Sequence, residues 1–158
     1  MIKEGLLAEL KASAGFFERS SSVLSEEDSN FTPRDGMYSV SHHVAHTART
    51  IDWFIEGMFA QNGFDMDFEL HIKQAKACNS LTEARKWFKK SIAQAIEVID
   101  SKTDKELQEA LPKNTVMGGA PRLAVMGAIV EHMAHHRGAL TVYSRLLGKA
   151  PQMPYGDF

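Results

Sequence analysis

Four stretches of the sequence repeat apolar residues at the spacing of one helical face, and this periodicity limits the fold more than any other feature. The clearest stretch is the second, in which Val40, Val44, Ile51, Phe54 and Met58 fall on one stripe. The chain shows no alternating strand pattern and no convincing internal repeat. We predict helices over about residues 2–22, 39–60, 80–101 and 121–147. Four amphipathic helices of this length pack most economically as a four-helix bundle, so the sequence predicts an all-α fold.

Polar residues and proline mark the starts of three of these helices. Either Ser39 or Ser41 is suited to cap the second helix. The sequence SLTE before the third helix matches a capping box, in which Ser80 caps the helix and Glu83 reaches back. Pro121 suits the first turn of the fourth helix, because the amide hydrogen that proline lacks is not needed there.

The connections between the helices are less regular. The Ser-rich, acidic sequence SSSVLSEEDSN that follows the first helix is expected to be a surface loop. Residues 61–79 show only a weak pattern, so we predict an irregular connection between the second and third helices and leave it unassigned. The sequence TDKELQEAL predicts a short turn of helix before the fourth one.

Length and charge predict one domain without a nucleic-acid partner. The 158 residues suffice for one core, so we treat residues 1–158 as a single domain. The net charge of −2 offers no electrostatic footprint for phosphates. The one locally basic sequence, RKWFKK at 85–90, is read as the solvated face of a helix.

Cysteine usage and hydropathy predict a cytoplasmic protein. The longest apolar run, LAVMGAIV, is far shorter than the roughly 18 residues that indicate a membrane span. Charged residues interrupt the N-terminal sequence MIKEGLLAEL, unlike a signal peptide. Cys78 is the only cysteine, which excludes an intramolecular disulfide and fits a reducing compartment. We read Cys78 as structural, the alternative being a reactive thiol that would need a neighbouring base.

Histidines are concentrated in two helices. Six of the seven histidines fall in SHHVAH on the second helix and in HMAHH on the fourth. His132 and His136 are four positions apart, so their side chains share one face and can converge on one ion. The same face carries a stripe that should face the core: Met126, Ile129, Met133, Leu140, Tyr143 and Leu147.

Two histidines on a core-facing stripe favour a metal site, because unpartnered buried imidazoles are costly and neutral imidazole is the commonest metal ligand. A third ligand from the second helix would leave one coordination position open, as catalytic sites do. The helical wheel of the second helix favours His43 over His46 for this role. His135 lies on the flank and is expected to be exposed or a neighbour of the site. The alternative reading is that these imidazoles are hydrogen-bonded core or surface groups, and the zinc-protease motif HExxH is absent.

The chain resembles the DinB superfamily, which also contains bacterial thiol transferases. The resemblance rests on YSVSHHVAHTA at 38–48, on EHMAHHRGALTVYSRLLG at 131–148 and on the C-terminal APQMPYGD. It implies an antiparallel four-helix bundle in which His46, His132 and His136 hold a divalent metal. His43 departs from the family, which usually has an apolar residue there, and it is the candidate for an additional group at the site.

The function that the resemblance implies is metal-dependent activation of a thiol or of water. The activity would be that of a thiol S-transferase or a hydrolase acting on a small-molecule substrate, with a low-molecular-weight thiol as cosubstrate. The alternative is a non-catalytic stress-response metalloprotein with a structural metal. Zinc or nickel is the expected metal, with iron or manganese as further options. A homodimer is also implied.

Three further polar residues of the fourth helix have weaker claims to the site. Tyr143 shares the face of His136, so its hydroxyl could line the cavity, although an aromatic in a core stripe more often packs. Arg137 and Arg145 are read as surface or helix-end partners rather than as groups that hold a substrate.

Overall fold

The structure, a computed structural model, describes residues 2–113 and 115–157 and is all-helical over those ranges. The all-α prediction is therefore confirmed. None of the helices in these ranges is long and apolar enough to span a membrane. The six α-helices are α1 (Ile2–Ser21), α2 (Val40–Phe59), α3 (Phe68–Lys76), α4 (Leu81–Asp100), α5 (Asp104–Gln108) and α6 (Val125–Leu146).

Side-chain caps fix the starts of α2 and α4. Ser39, rather than Ser41, caps α2, because its hydroxyl accepts a hydrogen bond from the backbone N–H of His42 at 3.2 Å. Ser80 caps α4 in the same way, through the backbone N–H of Glu83 at 3.2 Å. The carboxylate of Glu83 pairs with Lys86 at 2.7 Å, so the predicted capping box forms only in its first half.

The core lies between the four long helices, with α2 in contact with α3, α4 and α6. Helix α1 completes the packing against α4 and α6. Each long helix contributes fully buried apolar side chains, such as Leu10 from α1, Ile51 from α2, Ile99 from α4 and Ile129 from α6. The antiparallel order of the four long helices within a bundle stays a prediction.

The structure differs from the prediction mainly in the connections. The segment between α2 and α4 contains the nine-residue helix α3, which Asp67 caps by accepting from the backbone N–H of Leu70. The predicted surface loop after α1 is partly buried: Asp28 is 7% exposed and pairs with Lys149. Helix α6 begins at Val125, after a 3₁₀ turn over Arg122–Ala124, and not at Pro121.

Candidate metal centre

Two helices that pack on each other carry the histidines of the centre. His46 lies on α2, two turns beyond its cap, and its side chain is half-buried. His132 and His136 lie one turn apart on α6, where His136 is 6% exposed. Because α2 and α6 are in contact, the two helices present these imidazoles to one another.

The three imidazoles meet through the same ring atom. Nε2 of His132 is 3.2 Å from Nε2 of His46 and 3.1 Å from Nε2 of His136. One nitrogen from each ring falls within 4.8 Å of the others, which makes these residues a group able to hold a metal ion. The structure thus brings the pair indicated by the fourth helix together with His46, whereas His43 lies outside this group.

Burial keeps these imidazoles uncharged near neutral pH. Burial, together with the neighbouring histidines, lowers the pKa of His132 to about 3 and that of His136 to about 2. Burial also lowers the pKa of His46. Each neutral imidazole has a lone pair available to a metal ion, so the three rings are in the protonation state that metal binding requires.

His43 contacts the far side of one of the three rings. Its Nδ1 lies 2.9 Å from Nδ1 of His136, and one of these nitrogens donates the hydrogen bond to the other. The ring of His43 is held edge-on against Tyr38 and Tyr143, and only 8% of the residue is exposed. The helical wheel was therefore right that His43 is buried and wrong that it supplies the third converging nitrogen.

The donor set fits a divalent metal. Two ligand nitrogens about 2.0–2.1 Å from a tetrahedral zinc lie about 3.3 Å apart, close to the separations of 3.1 and 3.2 Å found here. The Nδ1 atoms of the two α6 histidines differ in their hydrogen bonds. Nδ1 of His136 has His43 as its partner, whereas Nδ1 of His132 is buried without a partner in the described chain. Three nitrogens converge, and the described residues add no fourth ligand atom to the group.

A cavity of about 350 Å³ adjoins the centre, with His46 and His132 in its wall. The rest of the wall comes from α2, α3 and the residue before the α2 cap, and it is mostly apolar and aromatic. Burial raises the pKa of Tyr38, which lies in this wall and keeps its phenol proton near neutral pH. The three nitrogens thus adjoin a space large enough for a small molecule.

The segment after α2 forms one side of this cavity through contacts that the sequence pattern did not reveal. Trp53 donates a hydrogen bond to the backbone carbonyl of Asp65 and contacts Phe64 in a tilted arrangement, with ring centroids 4.9 Å apart. Phe64 reaches that place because Gly57 has no side chain: a Cβ there would lie 2.1 Å from the Phe64 ring. Gly57 is the sequence signal that could have indicated this close approach, although none of the predictions above rests on it.

The remaining candidates of the fourth helix lie outside the cavity wall. His135 is exposed, as expected. Tyr143 is 2% exposed and donates its hydroxyl hydrogen to the backbone carbonyl of Tyr38, so it packs and does not line the cavity. Arg137 lies over the Tyr155 ring and Arg145 donates to a carbonyl of its own helix, in agreement with their reading as surface partners.

The basic sequence at 85–90 and the cysteine also have structural roles. Arg85 donates to the backbone carbonyls of Ser21 and Leu24, which holds the end of α1 against α4. Burial raises the pKa of the Cys78 thiol. Cys78 therefore stays a thiol near neutral pH, which agrees with its structural reading.

Comparisons with known proteins bear on this geometry. The family model described as DinB family matches residues 2–158. The crystal structure of a DinB-like protein from Bacillus cereus ATCC 10987 superposes with a TM-score of 0.75 and 19% sequence identity, over 98% of this chain and 97% of that one. At this identity the likeness shows a shared fold alone. No curated protein matches the chain.

Proposed function

The chain belongs to the DinB family, and from that premise we propose that it is a divalent-metal protein in which His46, His132 and His136 hold the metal. The observation that carries this proposal is the convergence of three neutral Nε2 atoms beside an apolar cavity. Zinc or nickel is the proposed metal, because imidazole ligands suit both.

We infer further that the centre is catalytic. A bound divalent metal would lower the pKa of a thiol or a water that coordinates it. Three protein ligands leave a coordination position for such a group, whereas structural zinc sites usually have four. The resulting activity would be that of a thiol S-transferase or a hydrolase, with a low-molecular-weight thiol as the preferred cosubstrate.

The residues around the centre would prepare it for this chemistry. With Nε2 of His136 bound to a metal, Nδ1 carries the hydrogen and donates it to Nδ1 of His43, which fixes the orientation of the ligand ring. The aromatic rings of Trp53 and Phe68 in the cavity wall would exclude water once a substrate occupies the cavity. Exclusion of water strengthens every electrostatic interaction within the cavity.

The alternative is a non-catalytic metalloprotein in which the ion only ties α2 to α6. His43 was the candidate for a fourth ligand in that case. Its Nδ1 faces the side of His136 opposite to Nε2, which supports the open, three-ligand centre instead. The homodimer, the cytoplasmic location, the absence of a nucleic-acid partner and the antiparallel order of the bundle stay predictions from the sequence and the resemblance.

Cobalt substitution tests the catalytic proposal directly. Co²⁺-loaded protein is titrated with a small thiol, and a thiolate-to-cobalt charge-transfer band in the near ultraviolet is expected if a coordination position is open. The same protein, loaded with zinc, is then assayed for transfer of that thiol to an activated aryl halide. A cobalt spectrum that ignores the thiol, together with no turnover by any metal form, would favour the structural alternative.

A further inference from the structure

The cavity beside the metal centre contains one permanent charge. Among the described residues that line it, Arg49 is the only side chain charged at every ordinary pH, and no carboxylate lines it. Arg49 follows His46 by three positions on α2, so both side chains lie on the same face of the helix. A cation in an apolar wall attracts an anion more strongly than it would in water.

Arg49 is held in place but keeps donor capacity for a ligand. Its side chain is only 12% exposed. Nε donates to the side-chain carbonyl of Gln74 at 2.9 Å, and Nη2 donates to Nδ1 of His71 at 3.1 Å. The carboxylate of Glu56 lies 3.4 Å from Nη1 and 3.5 Å from Nη2, but the side chain of Glu56 is 58% exposed, so water weakens that pair. A guanidinium has five N–H donors; one on Nη1 has no partner among the described residues, and a ligand carboxylate could replace the exposed Glu56 at the other two.

His71 supplies a second donor at the same place. Because arginine has no acceptor, Nδ1 of His71 must accept from Arg49, and the neutral ring then carries its hydrogen on Nε2. This Nε2 is buried and has no hydrogen-bond partner in the described chain. Asp65 lies 3.5 Å away without hydrogen-bond geometry, and its side chain is 60% exposed. His71 itself is 8% exposed and lines the cavity, but its Nε2 has almost no accessible surface, so a ligand acceptor would take the place that the exposed Asp65 carboxylate now holds beside it.

We propose that this cavity binds a carboxylic acid with an apolar, aromatic-sized body, the carboxylate on Arg49 and His71 and the body against Trp53 and Phe68. Arginine prefers planar oxyanions, because two N–H groups can meet both carboxylate oxygens. The aromatic walls supply apolar contact for the rest of the molecule. The proposal deepens the proposed function, since it names the substrate class of the same centre.

A matched pair of ligands tests this proposal on wild-type protein. Calorimetric titrations compare 3-phenylpropionate with 3-phenylpropanamide, which has the same shape and no charge, using protein freed of metal by a chelator. We expect the acid to bind at least about tenfold more tightly, as a charge-assisted hydrogen-bond pair gives. Equal binding of acid and amide, or no binding of either, would overturn the proposal without any variant.

Variants then test which side chains cause the preference for the acid over the amide. Arg49→Gln should remove the preference for the acid, Arg49→Lys should retain part of it, and His71→Phe should reduce it. Arg34→Gln is the control, since Arg34 is exposed in the loop before α2 and should leave binding unchanged. If folded Arg49→Gln, checked by circular dichroism, still prefers the acid as wild type does, the assignment of the subsite is wrong.

Two further arms separate this inference from the proposed function and identify the carboxylate's source. If the protein binds no metal but still prefers the acid through Arg49, the proposed function fails and this inference stands. If the protein binds metal but shows no preference for the acid, this inference fails and the proposed metal centre stands. In zinc-loaded protein, 3-mercaptopropionate is compared with 2-mercaptoethanol. An Arg49-dependent preference for the thiol acid assigns the carboxylate to the thiol substrate, and a preference seen only with 3-phenylpropionate assigns it to the second substrate.

Discussion

Replacing His43 by leucine should weaken metal binding without abolishing it. The variant removes the hydrogen bond between Nδ1 of His43 and Nδ1 of His136, which is 2.9 Å long and almost wholly buried. Nδ1 of His136 would then be left without a partner beside an apolar side chain of similar volume. An unpaired buried donor costs about 1–3 kcal/mol, or about 5- to 150-fold in an equilibrium constant.

Only the part of this cost that differs between the metal-bound and metal-free states changes the affinity. A metal on Nε2 makes Nδ1–H a stronger donor, and the free ring can adopt the other tautomer, so the loss falls mainly on the bound state. We therefore expect the dissociation constant for Zn²⁺ to rise about 10- to 30-fold, within the range known for partners of metal ligands.

Competition with a chromophoric zinc chelator measures this change. His42→Leu is the matched control, because His42 neighbours His43 on α2 but hydrogen-bonds Asn79 instead of a ligand ring; its affinity should equal that of wild type. An unchanged affinity in His43→Leu would refute the role of the hydrogen bond. Complete loss of the metal from the folded variant, or retained cobalt with a changed spectrum, would show that His43 is itself a ligand.

Three other predictions concern stability without metal. Burial lowers the pKa of His132 to about 3 and that of His136 to about 2, so as the pH falls the unfolded chain takes up protons before the folded one. The free energy of unfolding should therefore be constant above about pH 7 and fall below about pH 6.5, by up to about 1.4 kcal/mol per pH unit for each ring. Urea unfolding at pH 7.5, 6.5 and 5.5 measures this change, and coinciding midpoints would contradict it. Gly57→Ala should destabilise the fold by about 1–3 kcal/mol, because the new Cβ would lie 2.1 Å from the Phe64 ring. A helical glycine in open space should instead gain stability when replaced by alanine. A higher melting temperature for Gly57→Ala would therefore contradict the packing argument. Ser39→Ala should cost about 1 kcal/mol through loss of the α2 cap, and an unchanged midpoint in urea would show that the cap is unimportant.

Local sequence signals predicted the helices well because their causes are local. The apolar stripe of α2 and the pair His132 and His136 follow from helical spacing alone, and both appear as expected. The choice between His43 and His46 depended on how α2 and α6 face each other, which helical spacing within α2 does not specify. The family resemblance selected His46, and the geometry agrees.

The cavity could not be predicted from the sequence for a related reason. Helix α3 is short and carries exposed apolar residues, so its periodicity is weak, and its position depends on long-range contacts with α2. The hydrogen bond from Trp53 to the carbonyl of Asp65 and the contact of Arg49 with His71 join segments 12 and 22 residues apart. Such pairs have no periodic signature, so the residues proposed to bind a carboxylate could not be identified from the sequence.

Metal content per chain, measured by elemental analysis of untagged protein, tests the central claim most directly. Wild type and His135→Ala, the exposed neighbour on α6, should each carry close to one equivalent of a divalent metal. The single variants His46→Ala, His132→Ala and His136→Ala should each lose it while remaining folded by circular dichroism. Wild-type protein without metal, even after incubation with zinc or nickel, or folded variants that keep their metal, would contradict the three-histidine centre.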